Sequence, residues 1–185
     1  SSWEDNYSWI HQDDILEVLK DSERLNPEVR TYLEEENSYT EFNLADTKKT
    51  QKNLFNEIKG RLKLDDESLP FKDFDYEYWT KTTIKGNYSI KLRKKIGSNE
   101  IEEIWNGDEE KEKLNVEYFG VGDLTVSFND KYLGYSLDTK GSEYYTIHIR
   151  DINTKKLVTE KIEETSGGIT FSLDDKYIFY SKLDE

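Results

Sequence analysis

Apolar and polar positions change rhythm near residue 69. Before it, apolar residues recur at helical spacing. Ile15, Leu16, Val18 and Leu19 predict a short amphipathic helix. Asn26 then Pro27 supply a capping side chain and a proline suited to the first helical position. Val29, Tyr32, Leu33, Glu36 and Tyr39 carry that second helix onward, and its apolar stripe requires a surface to lie against. Asp46 or Thr47 is expected to cap a third helix. Leu54, Phe55, Ile58 and Leu62 would form its buried face, with Gly60 weakening its end.

Beyond Leu69 and Pro70 the period falls to two. Phe74, Tyr76, Tyr78 and Thr80 alternate with Asp75, Glu77 and Trp79, which predicts a strand with aromatic side chains on both faces. Gly86 and Asn87 supply a turn, and Tyr88, Ile90 and Leu92 start another alternating run. Ile101 and Ile104 predict a short outer strand, and the polar stretch 106–113 reads as a loop. Leu124, Val126 and Phe128 form a strand that turns at Asn129 and Asp130 into Tyr132 to Leu137. Further turns lead into Tyr145, Ile147 and Ile149, then into Leu157 and Val158, an antiparallel meander.

The meander repeats. Residues 127–136 read S-F-N-D-K-Y-L-G-Y-S and residues 172–181 read S-L-D-D-K-Y-I-F-Y-S, an offset of 45 that suits the blades of a β-propeller. Only four residues follow the second copy, so the chain is expected to be the front of something larger. The predicted class is α+β: an N-terminal helical arm over 1–68, then antiparallel β-meanders over 69–185 forming an incomplete β-propeller of about two blades. A separate helical domain and an arm packed on a neighbouring domain fit the pattern equally.

Composition narrows the partners. Hydrophobic residues are 34 %, but aromatics reach 14 %, which places the chain with folded rather than disordered proteins. A net charge of -14 opposes nucleic acid and anionic membranes and favours a basic partner. The chain has no Cys, so disulfides and thiolate chemistry are excluded and a cytoplasmic location is expected. No apolar run nears 18 residues, so no membrane helix is expected. Trp3, Glu4, Asp5 and Asn6 do not suit a signal peptide, and the absence of Met implies that residue 1 is not the natural start.

The search for chemistry returns no catalytic, cofactor-binding or metal-binding residue. His11 lies among polar residues, and alternation puts His148 on the strand face opposite Ile147 and Ile149. His148 could act as a base in principle, but no G-x-S-x-G elbow occurs for it to serve. Asp65, Asp66 and Glu67, or Asp73 and Asp75, could gather a cation, yet calcium-loop spacing is absent. Glu34, Glu35 and Glu36 occupy consecutive helical positions and cannot all face one ion. Gly120, Gly122, Gly141, Gly167 and Gly168 read as turn residues. Gly120 and Gly122 precede a strand, whereas a dinucleotide loop follows one.

Several segments, taken in order, resemble one family. Asn6-Tyr7-Ser8-Trp9-Ile10 is similar to a Y-x-W-[LI] signature. Pro27-Glu28-Val29 leads to Tyr32 through Thr40. Glu57-Ile58-Lys59-Gly60-Arg61 is followed by Asp65-Asp66 and Pro70. Asp123-Leu124, Ser127, Asp130, Gly134-Tyr135-Ser136, Asp138, Gly141-Ser142-Glu143, Tyr145-Thr146, Arg150-Asp151 and Thr165 to Gly168 continue the order. Together they resemble the oligopeptidase B (protease II) branch of the prolyl oligopeptidase family.

That resemblance implies a cytosolic serine peptidase in which a seven-bladed propeller caps an α/β-hydrolase domain and restricts substrates to short peptides cut after Lys or Arg. It also implies that the nucleophile, acid and base lie in a C-terminal domain matched by no residue here. The expected role is therefore a noncatalytic N-terminal fragment of such a peptidase. A subunit of a split peptidase complementing a separate hydrolase chain, or a self-associating binding module, are the alternatives. Asp138, Glu143 or Asp174 would at most contribute to a field attracting basic peptides.

Overall fold

Asn26 opens the longest helix as its sequence requires. Its side-chain oxygen accepts the Glu28 N–H at 2.9 Å, and Pro27 takes the first helical position. The computed structural model describes residues 4–182, so Trp3 lies outside the described residues. The chain divides after Lys63 into two units.

The first unit is helical. Short 3-10 turns at Ser8–Ile10, Ser22–Arg24 and Ala45–Thr47 separate α1 (Ile15–Lys20), α2 (Pro27–Asn43) and α3 (Lys48–Gly60). Its entrance is polar carpentry. Gln12 donates to Asp14 and to the Arg24 carbonyl and accepts the Asn26 N–H, while Arg24 bridges Asp14 and Glu17 at 3.0 Å each. Trp9 meets Tyr32 edge-on, with ring centroids 5.2 Å apart. Of its apolar residues, Val18 and Val29 are buried.

Two helical expectations are corrected. Leu54, Phe55, Ile58 and Leu62 on and after α3 are exposed, between 51 % and 62 %, rather than forming a buried face. A helix satisfies its own backbone hydrogen bonds, so it can stand with that stripe uncovered. Thr47 does sit at the cap position of α3, but its hydroxyl donates to the Leu44 carbonyl at 2.7 Å and makes no capping bond.

The second unit is built from antiparallel sheets. The first sheet holds β1 (Asp66–Glu67), β2 (Phe71–Asp73), β3 (Tyr76–Thr82), β4 (Ile90–Lys95) and β5 (Ile101–Asn106). Both β1 and β2 pair with β3, and the order continues β3-β4-β5. Phe74 lies in the β2–β3 turn with φ 44, not in a strand, because a two-residue reversal needs that left-handed position. The stretch read as a loop is instead α4 (Gly107–Leu114). Asn106 accepts the Glu109 N–H, acidic residues fill the first turn and Lys111 and Lys113 the last, so the charges follow the helix dipole.

The second sheet is a plain meander: β6 (Gly120–Val126), β7 (Tyr132–Asp138), β8 (Tyr145–Asp151) and β9 (Ile162–Thr165). Its outer strand is not Leu157 and Val158, since Leu157 makes only an isolated bridge to Arg150. The Ile162–Thr165 strand pairs with Tyr145 and Ile147, the inner half of β8. A third element, β10 (Thr170–Phe171) with β11 (Ile178–Phe179), begins the next repeat. The architecture is thus a helical arm and an incomplete propeller: two sheets and the first hairpin of a third.

The two central strands of the second sheet, β7 and β8, are buried on both faces, and apolar residues dominate where each face meets a neighbouring sheet. Leu133, Tyr135 and Leu137 pack with Tyr78, Ile104 and Trp105 of the first sheet. Ile147 and Ile149 point the other way, into a cluster with Ile169 and Phe171. Gly134 makes that second contact close. A side chain there would meet Phe171, Ile149 and Ile169 at 3.2–3.3 Å. No helix among the described residues is long and apolar enough to cross a membrane.

Candidate functional site: the seams between the sheets

The polar groups that sequence alone could not place meet at the seam between the first and second sheets. Arg150, on the face of β8 that meets the first sheet, extends from the second sheet to the first. Its guanidinium donates to Glu110 of α4 at 2.8 Å and to the Ile104 carbonyl of β5 at 2.9 Å. It also lies 5.6 Å from the Trp105 ring centroid and 5.3 Å from that of Tyr135. Those aromatic faces shield a charge-assisted pair from water, which strengthens it.

Arg93 of β4 is the second anchor, and only 2 % of it is exposed. It holds Glu102 through two bonds of 2.8–2.9 Å and donates to the Asp130 carbonyl in the second sheet. The Tyr78 hydroxyl donates to the Asp130 carboxylate at 2.6 Å. Burial raises the Tyr78 pKa, and the Asp130 carboxylate that accepts its proton raises it further. Lys91 of β4 donates to the Leu124 carbonyl at 3.2 Å, and burial lowers its pKa.

The repeated decapeptides are one device used twice. In both copies the serine hydroxyl accepts the tyrosine N–H five residues on, at 2.8 Å for Ser127 and 3.0 Å for Ser172. Asp130 and Asp175 take left-handed φ values of 58 and 56 and donate their N–H to the serine carbonyl at 2.9 Å. Each aspartate then reaches back one sheet. Asp130 receives Tyr78, and Asp175 receives the Phe128 and Asn129 N–H groups at 2.8 Å each. Asp123, released by a bulge in β6, accepts the Ile169 N–H at 2.9 Å and adds to the second seam.

His148 does lie on the face opposite Ile147 and Ile149, as alternation requires. Its ring stacks on Tyr135 with centroids 4.9 Å apart and planes 4° apart. Burial, with Lys161 nearby, pushes its pKa down to about 4, so it is neutral at pH 7. His11 is exposed beside Asp13, in the other unit.

The candidate carboxylates are placed as follows. Glu67 pairs with Lys81 at 3.1 Å, on the exposed edge formed by β1. Asp65, Asp66, Asp73, Asp75, Glu34, Glu35 and Glu36 are exposed, and among the described residues no group of three His, Asp or Glu side chains is placed to hold a metal ion. Asp138 is 1 % exposed, and its carboxylate is used by the Lys140, Gly141 and Glu143 N–H groups. Glu143 takes a left-handed φ of 61 in that turn. Asp174 caps its own turn through Ser172 and Lys176, which lower its pKa. Of the five glycines read as turn residues, Gly141 and Gly167 take positive φ, 80 and 93, whereas Gly120 and Gly122 lie within β6 rather than in a turn.

Hollows accompany the seams, and two of them are the more spacious among the described residues. One of about 450 Å³ lies between the first two sheets, lined by Tyr88, Trp105 and the bulged stretch from Val121 to Leu124. The other, about 590 Å³, is a groove beside β9 and β11 with Ile149, Phe171 and Ile178 in its lining and Lys161, Lys176 and Glu160 around it. Sequence reasoning missed Arg93, Glu110 and the clasp of Asp175. Only the repeat itself signalled the last of these.

Comparison with known proteins agrees with this geometry. A family described as prolyl oligopeptidase, N-terminal beta-propeller domain, matches residues 2–185. Dipeptidyl aminopeptidase BI of Pseudoxanthomonas mexicana is 27 % identical over 195 residues, covering 97 % of this chain and 26 % of that protein. Protease 2 of Moraxella lacunata is 25 % identical, covering 98 % of this chain and 26 % of that protein. Oligopeptidase B from Leishmania major superposes with a TM-score of 0.83 at 24 % identity, over 98 % of this chain and 25 % of that one. The closed, antipain-bound oligopeptidase B from Trypanosoma brucei gives 0.79 at 22 %, over 97 % and 24 %. The two solved structures establish the fold. The chain spans about a quarter of the length of the relatives it matches.

Proposed function

This chain belongs to the prolyl oligopeptidase N-terminal β-propeller family, and on that premise we propose that it is the noncatalytic N-terminal portion of an oligopeptidase B-like serine endopeptidase whose parent cuts short peptides after Lys or Arg. The observation that carries this reading is how the chain spends its polar groups. Arg93, Arg150, Asp130 and Asp175 fasten one sheet to the next, and the imidazole of His148 is stacked on Tyr135. The sequence offers no nucleophile elbow for that imidazole. Its work is to build one side of a propeller, and the reacting groups come from the remaining polypeptide. The absence of Cys supports a cytoplasmic home.

The test is direct. The purified chain should not cleave an Arg-containing fluorogenic peptide. Cleavage that survives removal of trace host protease would overturn the reading. A second reading, a subunit of a split peptidase, is favoured by the exposed stripe of Leu54, Phe55 and Ile58 on α3. Titrating the chain into the complementary hydrolase-containing portion should then restore cleavage, and no complex with no gain in activity would reject that version. Sedimentation over a concentration series separates both from self-association.

A further inference from the structure

We propose that His148 makes the joint between the first and second sheets releasable by acid: its protonation loosens the packing of β8 against β5 and α4. The geometry is a cluster of charges in a confined space. His148 and Arg150 stand two residues apart on the same face of β8, and both lie on the Tyr135 ring of β7, at 4.9 and 5.3 Å from its centroid. His148 is 8 % exposed. Lys161, ahead of β9, also opposes a charge on the imidazole, and Glu110 of α4 favours it. Glu110 is already shared, since Arg150 holds it at 2.8 Å and Lys113 at 3.3 Å. A proton on His148 therefore adds a third cation beside Arg150 and Lys161 without adding a carboxylate. The bonds most exposed to that repulsion are those of Arg150 to Glu110 and to the Ile104 carbonyl, the anchor of the joint.

The sign follows from the depressed pKa. An imidazole freed from the seam returns to about 6.5, whereas in the closed seam it stands at about 4. The open form thus binds more protons throughout that window. Closure is fully favoured above pH 6.5 and is lost as pH falls towards 4. The opening equilibrium should rise roughly 100-fold between pH 7 and pH 4 from this group alone.

The experiment uses the full chain with His11→Gln, which leaves His148 as the one histidine. Proton NMR should give a His148 midpoint well below 6.5, and amide exchange in β5, β7 and β8, divided by the intrinsic exchange rate at each pH, should accelerate as that midpoint is approached. His148→Phe keeps a stacked ring without the proton site and should abolish the acceleration. Lys161→Gln, an exposed position, should move the midpoint upward and bring exchange with it, which keeps the test decisive if the Phe variant does not fold. A His148 midpoint near 6.5, or the same acid response in His148→Phe, would overturn the proposal. So would exchange that ignores the shift in Lys161→Gln.

Discussion

The two units of this chain treat apolar side chains in opposite ways. In the helical unit Val18 and Val29 are buried while Leu33, Phe42, Leu54, Phe55 and Ile58 are exposed. In the sheet unit the central strands β7 and β8 are buried on both faces, and Arg150 of β8 and Arg93 of β4 are buried as well. The reason lies in the backbone. A helix closes its hydrogen bonds within itself, so its stripe can wait for a cover. A sheet must be stacked on another to become a core, and each stacking step here is clasped by a repeated aspartate turn.

Four substitutions break or sharpen that contrast. The largest effect is expected from Leu133→Ala, because Leu133 has no exposure and sits in the first seam. It should destabilise the sheet unit by about 3 kcal/mol in denaturant titrations followed by near-ultraviolet circular dichroism. Next, Asp175→Ala removes the acceptor of the Phe128 and Asn129 N–H groups and should cost about 1.5 kcal/mol. Its amide-exchange footprint should lie at the second seam and leave Arg150 and Glu110 untouched. In the helical unit, Asn26→Ala should cost about 1 kcal/mol of helix stability, read in far-ultraviolet dichroism. The smallest effect belongs to Ile58→Gln, an apolar residue 60 % exposed, at less than about 0.5 kcal/mol. A loss as large as that of Leu133→Ala would show the α3 stripe to be covered already, and the contrast would fail.

Local chemistry made most elements legible. The Asn26-Pro27 pair announced α2, alternation announced β3, β7 and β8, and the decapeptide repeat announced successive blades. Where the reading failed, a weaker signal had been outvoted. The run from Gly107 to Leu114 looked like a loop because it is polar, yet Asn106, Glu109 and the order of its charges encode a helix. Phe74 looked like a strand residue because it is aromatic, although the hairpin needed a left-handed position there. Leu157 and Val158 were apolar enough for a strand, but pairing with the inner half of β8 went to Ile162–Thr165.

By itself the sequence determined the alternation of elements, the 45-residue repeat and the absence of a nucleophile elbow, because each is a local pattern of residue types. Only the tertiary structure decided what the repeat is for. The contacts that give Asp130, Asp175, Arg93 and Arg150 their roles span between 37 and 52 residues. Periodicity describes one strand at a time, and an inter-sheet bond exists only when two strands distant in sequence have been stacked.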